Sequence, residues 1–430
     1  MDRSGILAAG HPASISTGTD GPNRAGSSRY KQWMDVGFGD ALLFSGALLA
    51  LAAALSGLMR GTVLSISVLS VSVGLILAEA GAIHVDGSDT AVVHLFLLAL
   101  IVTLFSDGLL VERELLVVHW GPVVRALVIA MPLTLALLAV AAKLLFSEFG
   151  WAEAFLLGSV LCATDPVVTS AVVTSQRVPA SVRHALNLES GLNDGLALPF
   201  VLFFIILASP GGDAGTEAAK LLGEAAFGAA LGVLLGLGAG RLTHHLPGGG
   251  IVRRYEGIYA LGVGLLAYGL ADVTVGNGLI AAFVCGISLG VADHDIADDF
   301  VVFSENVSSI LQVLTFVAFG GLIVSTGFHS TVPLLIAFIA LALLVARPVA
   351  IAISFVRVDL PAPHRAFIAW FGPKGVAGIL FAELVLNSDA TDNHLIFEIA
   401  AFVILASIVI HGLTDTLGAR WIEKRVTASR

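Results

Sequence analysis

Long apolar runs, separated by short polar segments, recur along the chain from residue 40 to residue 416. A helix needs about 20 apolar residues to cross the roughly 30 Å hydrocarbon core of a bilayer. In lipid, a helix satisfies all its backbone hydrogen bonds within one segment. We therefore expect an all-α polytopic membrane protein with about thirteen transmembrane helices. Their predicted limits are 40–59, 62–83, 91–110, 122–146, 151–175, 184–208, 217–242, 254–273, 276–292, 305–326, 331–356, 363–387 and 393–416.

The composition excludes several classes of protein. Charged residues make up 13% of the chain, against about 25% in a typical soluble domain. Hydrophobic residues make up 57% and the mean hydropathy is +0.94, which excludes a soluble enzyme or a disordered protein. The net charge of −10 argues against a nucleic-acid partner. Cys162 and Cys285 both lie in apolar runs, so we expect two buried side chains and neither a disulfide nor a metal site.

The distribution of basic residues predicts the orientation. Fourteen of the 22 Lys and Arg residues lie in or at the edges of the loops after odd-numbered spans, or in residues 417–430. By the positive-inside rule we expect these loops and the short C-terminal tail to be cytoplasmic, in a multi-pass protein of the cell's inner (plasma) membrane. Residues 1–38 read as a disordered tail, but their basic residues conflict with the outside location this topology gives them. Translation from Met34 would remove the conflict.

Two predicted spans are interrupted at their centres. The fifth contains Ala163-Thr164-Asp165-Pro166 and the twelfth contains Gly372-Pro373-Lys374-Gly375. Proline and glycine break helices, and a charge at this depth costs at least about 2.5–3.5 kcal/mol. The two spans are seven apart in the topology, and an odd offset places them in opposite directions across the membrane. This pattern is typical of inverted repeats with a substrate site at the midplane between two broken, crossing helices.

The sixth span begins with a polar segment. Glu189 and Asn193 are four residues apart, as are Ser190 and Asp194, so the four side chains line one side of a helix. Carboxylate, amide and hydroxyl oxygens suit a hard monovalent cation.

Two cations and one further acid lie at or near membrane depth. A buried Arg347 needs a carboxylate partner, and Glu189 is the best candidate. Lys374 is expected to offset the negative C-terminal ends of the half-helices at its break. Asp107 ends the third span and could reach the cytoplasmic mouth of the pathway. His411, which has no obvious polar neighbour in the sequence, reads as a satisfied core histidine.

Four motifs in order resemble the monovalent cation:proton antiporters of the NhaP and sodium/proton-exchanger type. They are Ala-Thr-Asp-Pro at 163–166, Glu-Ser-Gly-Leu-Asn-Asp-Gly at 189–195, the intramembrane Arg347 and Gly-Pro-Lys-Gly at 372–375. The resemblance covers nearly the whole chain from residue 38 onward and includes the predicted transmembrane domain at 39–416. It implies a core domain of about 122–208 and 331–416, an interface domain of about 40–110 and 217–326, and a homodimer.

The resemblance also implies residue roles. Asp194 would be the main ion and proton carrier. Asp165 and Ser190 would complete the Na⁺ site, with Thr164, Asn193 and Asp107 also in the ion- and proton-binding set. Glu189 would pair with Arg347, and the Asn193-Asp194 order resembles the electroneutral branch. Lys374 and Asp107 depart from the Arg and Glu that relatives often carry at these two positions.

The expected function is electroneutral Na⁺ (or Li⁺)/H⁺ antiport by alternating access in pH homeostasis, with no cofactor beyond the transported ions. The chain would be a secondary active transporter and not an enzyme. A K⁺/H⁺ antiporter of the same fold is the alternative. An intramembrane aspartyl protease fits less well, because only Gly191-Leu192-Asn193-Asp194 is similar to a motif of that class. A symporter or a non-transporting sensor of the same fold is a further alternative.

Overall fold

The computed structural model describes residues 66–115, 120–165, 175–211, 214–245, 255–292, 294–328 and 330–427, with a few single positions elsewhere. Several sequence predictions lie outside the described residues: the tail at 1–38 with its start at Met34, nearly all of the first span, and Pro166. Every regular element in the described part is helical, which agrees with the predicted all-α class.

Thirteen helical elements are described, two of which are the halves of a broken helix. They are α1 (Ile66–Glu79), α2 (Thr90–Leu115), α3 (Trp120–Leu145), α4 (Trp151–Cys162), α5 (Ala180–Ala208), α6 (Ala214–His245), α7 (Glu256–Asp272), α8 (Gly278–Ala292), α9 (His294–Thr326), α10 (Val332–Ser354), α11 (Ala362–Trp370), α12 (Val376–Leu386) and α13 (Asn393–Thr427).

Most helix limits fall within a few residues of the predicted spans, with two large differences. Helix α9 begins at His294 instead of residue 305, and α13 ends at Thr427 instead of residue 416. A hydropathy measure marks the segment that crosses hydrocarbon, whereas a helix continues into water wherever its backbone bonds are favourable. Both helices are therefore longer than the apolar segments that predicted them.

Seven described helices are long and apolar enough to cross a membrane, and four shorter ones are also apolar. The chain is therefore an integral membrane protein in character. The total of thirteen spans stays a prediction, because some of the predicted segments lie outside the described residues and others are short.

The two predicted breaks are present in the described residues and touch each other. Helix α4 ends at Cys162, and Ala163 is extended, with φ −61° and ψ 146°. Non-helical residues 371–375 separate α11 from α12. The backbone N–H of Asp165 donates to the carbonyl of Pro373 at 2.9 Å. Each break therefore supplies a partner for a backbone group that the other exposes.

Helices α3 and α10 share an irregular feature. Each contains a π-helical turn, Ala126–Ala130 in α3 and Ala342–Ala346 in α10, and a proline follows two residues later. Proline has no N–H to donate to the helix, and a π turn changes the local backbone hydrogen-bond pattern where the proline follows. In both cases the next helix in the chain, α4 or α11, ends at a break. This correspondence is compatible with inverted repeats, which stay a prediction.

Small residues allow close helix contacts around the site. At Gly286 on α8, an added Cβ would lie 2.3 Å from the carbonyl oxygen of Phe105 on α2. At Gly195 on α5, it would lie 2.4 Å from the ring of Phe283. Close backbone approach of this kind is how helices pack in membranes. Residues 44–430 belong to one compact unit.

Candidate ion-binding site at the crossing of two broken helices

The carboxylate of Asp165 lies at the N-terminus of half-helix α12. Its Oδ2 accepts a 2.7 Å hydrogen bond from the backbone N–H of Val376, the first residue of that helix. Helix N-termini expose N–H groups and carry partial positive charge. Gly375 makes this approach possible, because a Cβ there would lie 2.4 Å from Oδ2. The glycine and the acid, in two different motifs, thus form one local structure.

Thr164 is the centre of a hydrogen-bond network between the first break and helix α5. The backbone N–H of Thr164 donates to Oδ1 of Asn193 at 3.1 Å. The amide Nδ2 of Asn193 donates in turn to the hydroxyl of Thr164, which lies 3.3 Å from the hydroxyl of Ser190. All three residues are buried, with at most 5% of their surface exposed. Both ends of the Asn193 amide are therefore used to hold the break against α5.

Asp194 is buried, with 3% of its surface exposed. In the described part of the chain, its Oδ1 has no hydrogen-bond partner. Asp107, Asp165 and Lys374 lie close enough to act on it electrostatically. A buried carboxylate with a free oxygen is expensive unless it gains a proton or a cation, so the geometry leaves Asp194 ready to bind either.

Glu189 and Arg347 form a bidentate ion pair. Nη1 and Nη2 of Arg347 donate to the two carboxylate oxygens of Glu189 at 2.8 and 2.9 Å, and both side chains are buried. Nη2 also lies 3.3 Å from the carbonyl oxygen of Ile368. Gly372 makes room for the guanidinium, because a Cβ there would lie 1.9 Å from Nε. The pair joins α5 to α10 beside the second break.

Lys374 lies in the second break with 2% of its surface exposed. Its Nζ has no hydrogen-bond partner among the described residues. Its predicted role of offsetting the helix ends stays a prediction. Its backbone N–H donates to the hydroxyl of Ser407 on α13 at 2.8 Å.

His411 holds the other side of this break. Its Nδ1 lies 2.9 Å from the carbonyl oxygen of Ser407, and its Nε2 lies 3.1 Å from the carbonyl oxygen of Trp370 at the end of α11. The prediction of a satisfied core histidine is confirmed. The statement that it lacks a polar neighbour is wrong, because Ser407, four residues earlier, shares its helix face.

Asp107 on α2 is half-buried and faces the polar start of α5. A Cβ added at Gly191 would lie 3.4 Å from the Cβ of Asp107. The structure thus brings Asp107 toward the same site as Asp165, Asp194, Ser190, Thr164 and Asn193. Glu189 turns instead toward Arg347.

Three buried acids in the described helices were not predicted from the sequence. Glu383 on α12 and Glu398 and Asp415 on α13 have 6%, 2% and 4% of their surface exposed. The only signal was a single acid within an apolar run, as in Leu380-Phe381-Ala382-Glu383-Leu384. The two cysteines are free and buried, as expected.

The sequence profile of a transmembrane sodium/hydrogen exchanger family matches residues 46–417. A K⁺/H⁺ antiporter NhaP of Alkalimonas amylolytica is 24% identical over 82% of this chain. A Na⁺/H⁺ antiporter of Schizosaccharomyces pombe is 28% identical over 66% of this chain and 69% of its own length. The chain spans 62% of the length of the Alkalimonas protein.

The solved structure of the sodium proton antiporter MjNhaP1 from Methanocaldococcus jannaschii has a similar fold. The TM-score is 0.72 at 20% identity, covering 89% of this chain and 98% of that chain. At this identity the likeness concerns the fold and leaves the chemistry of the site to the residues themselves.

Proposed function

This chain belongs to the sodium/hydrogen exchanger family, and we propose that it exchanges a monovalent cation for a proton at Asp194 and Asp165. The observation that carries the proposal is the buried Asp194, whose Oδ1 has no hydrogen-bond partner in the described part of the chain. It lies at the crossing, by which we mean the contact between the breaks at 163–165 and 371–375. Oxygen atoms of Ser190 and Thr164 lie in the same network. This donor set suits a hard cation with few bound waters.

Competition for one carboxylate couples the two fluxes. Two neighbouring carboxylates in a low-dielectric site cannot both stay ionised without a cation or a proton. The site with a bound cation and the site with a bound proton are both close to neutral and can move across the membrane, whereas the empty charged site cannot do so cheaply. Rocking of the helices that carry the breaks would expose the site to alternate sides.

Electroneutral exchange is the expected stoichiometry. Arg347 neutralises Glu189, and position 193 is an amide that is already bound to Thr164. Asp165 keeps one oxygen on the N-terminus of α12. Asp194 is then the carboxylate that binds one proton or one cation in each cycle.

Sodium or lithium is the proposed cation, and potassium is the alternative. The Schizosaccharomyces relative is named a Na⁺/H⁺ antiporter, whereas the Alkalimonas relative is named a K⁺/H⁺ antiporter. The names of these relatives therefore support both ions. The remaining parts of the proposal are a homodimer, a core domain at about 122–208 and 331–416, an interface domain at about 40–110 and 217–326, and cytoplasmic C-terminal residues in the inner membrane.

The test is proton flux in proteoliposomes that hold the purified full chain. A preset pH gradient should collapse on addition of Na⁺ or Li⁺, and a response to K⁺ alone would favour the alternative. The Asp194→Asn variant should give no response. Clamping the membrane potential with valinomycin and equal K⁺ should leave a Na⁺-driven flux unchanged. A flux that scales with an imposed potential would contradict electroneutrality, because one charge moved across 100 mV is worth about 2.3 kcal/mol.

A further inference from the structure

A cavity of about 430 Å³ lies between helices α2, α5 and α12 on one side and the α6–α8 segment on the other. No part of the proposed site described above lines it. Six of its lining residues bear on the argument: Leu97, Leu202, Glu224, Asp272, Glu383 and Asn387. Three of these six are acids, and no Lys, Arg or His is among the described residues that line the cavity.

Glu383 is the most deeply placed acid of the cavity, with 6% of its surface exposed. Its Oε1 accepts a 2.9 Å hydrogen bond from Nδ2 of Asn387, one turn later on α12. Among the described residues, no basic side chain forms an ion pair with it. A buried carboxylate with a single amide partner and no counter-charge is costly, unless something in the cavity neutralises it.

The other two acids lie nearer the surface. Glu224 on α6 is half-buried and lies 3.9 Å from the ammonium group of the exposed Lys220, so its charge is partly balanced. Asp272, at the end of α7, is exposed to solvent. The unbalanced charge within the cavity is therefore mainly that of Glu383.

The cavity lies to one side of the crossing. Glu383 is seven residues after Val376, whose N–H binds Asp165, and this corresponds to about 10 Å along the helix axis. Leu202 is eight residues after Asp194, or about 12 Å along α5. The connections at this end of the helices, 209–213, 273–277 and 387–392, contain no Lys or Arg. The positive-inside rule assigns this face to the outside.

We propose that this cavity is a second, outer binding site for a hard monovalent cation, with the carboxylate of Glu383 as its charged ligand. Carboxylate and amide oxygens are suitable ligands for such an ion. A negatively charged cleft with low-dielectric walls also raises the local concentration of cations about 10- to 1000-fold. The inference rests on the proposed exchange only for the role of the site, which is to load or release the cation between the outer solution and Asp194.

The first test measures the charge of the cavity without transport. Leu97 on α2 lines the cavity and is half-buried, so Leu97→Cys places a thiol in the cavity that Glu383 also lines. A cationic methanethiosulfonate should modify this thiol about tenfold faster than an anionic one, after correction for their reactivity with a free thiol. Adding Glu383→Gln should remove most of this preference and keep the hydrogen bond from Asn387. The native cysteines are buried, so the unmodified chain serves as the blank.

A matched control is Glu398→Gln in the same background. Glu398 is also buried and accepts a hydrogen bond from the backbone N–H of Ser330, but it is not among the residues that line this cavity. The Glu398→Gln substitution should leave the preference for the cationic reagent unchanged. Replacing choline by Na⁺ at equal ionic strength should slow the cationic reagent in the chain with Glu383 and not in the variant that lacks this acid. An equal preference with and without Glu383, or no effect of Na⁺, would overturn the proposal.

The second test uses exchange in oriented proteoliposomes. Glu383→Gln should raise the half-saturating Na⁺ concentration several-fold when Na⁺ is added on the cavity side, with a smaller change from the opposite side. Equal changes from both sides would contradict an outer site. If no variant and no wild-type sample exchanges ions, the proposed function fails, whereas the thiol-modification result still decides whether Glu383 binds cations.

Discussion

The buried ion pair between Glu189 and Arg347 gives a prediction whose size follows from the structure. The two hydrogen bonds are 2.8 and 2.9 Å long, and the side chains are 6% and 9% exposed. Changing Glu189 to Gln leaves the Arg347 guanidinium buried without a counter-charge. Removing one member of such a pair typically costs about 3–5 kcal/mol. Arg347→Gln should cost a similar amount, because it isolates the carboxylate instead.

The double variant, Glu189→Gln with Arg347→Gln, separates pairing from simple packing. Its two glutamine amides keep hydrogen-bonding groups of similar size at both positions, and no charge is left buried. We expect the double variant to lose less stability than either single variant, or at most as much as one of them. Contacting residues in double-mutant cycles show interaction energies of about 0.5–3 kcal/mol, and a charged buried pair should lie at the upper end.

The assay is thermal unfolding of the purified chain in detergent at one fixed heating rate, because unfolding of such proteins is often irreversible. The surface pair of Arg177 and Glu423, 3.6 Å apart and half exposed, is the matched control. Glu423→Gln should shift stability by no more than about 1 kcal/mol. Losses in the two single variants that add up in the double variant would refute the pairing argument.

Further predictions concern the crossing itself. Asp194→Ala should abolish cation-dependent proton flux while the protein elutes as folded material, because Oδ1 has no structural partner among the described residues; retained flux would contradict its role. Gly375→Ala should impair both folding and transport, because its Cβ would lie 2.4 Å from the Asp165 carboxylate. The neutral control is Gly223→Ala on α6, where an added Cβ has no atom within 4 Å. His411→Phe should lower transport, because it removes the contact of Nε2 with the carbonyl oxygen of Trp370. Thermal unfolding and proton flux, measured on the same sample, would show whether stability and transport both fall.

The sequence predicts the candidate site best where a helix-breaking proline or glycine and a charged residue occur together in an apolar run. Asp165 and Lys374 are flagged in this way, and the structure brings their two breaks into direct hydrogen-bonded contact. The periodicity of α5 predicts that four polar side chains lie on one side of the helix. It does not predict which residues they contact. Ser190 and Asn193 both turn to Thr164. These two residues are three apart, a grouping that the pairs at a spacing of four do not suggest.

Other features depend on tertiary packing and leave weak traces in the sequence. The role of Gly372 becomes clear only once Arg347 crosses over it, since a glycine beside a proline is common in any break. Glu383 reads as one acid in an apolar run until the cavity around it is seen. Hydropathy could not predict that α9 begins at His294, because polar residues at the start of a helix add nothing to the number of apolar residues in a predicted span.

The contacts between the two breaks would couple the proposed ion binding at Asp194 to the conformation of both. Asp165 binds the first N–H of α12, and its own backbone N–H binds the carbonyl of Pro373 in the opposite break. Asn193, next to Asp194, binds Thr164 beside it. In the proposed exchange, a shift of Asp194 on binding a cation would therefore pass through Asn193 to the first break, and through one hydrogen bond from there to the second. Because regular helix is absent at this point, small changes in the network need not bend a whole helix. The breaks thus place non-helical backbone beside the carboxylates that we propose bind the transported ions.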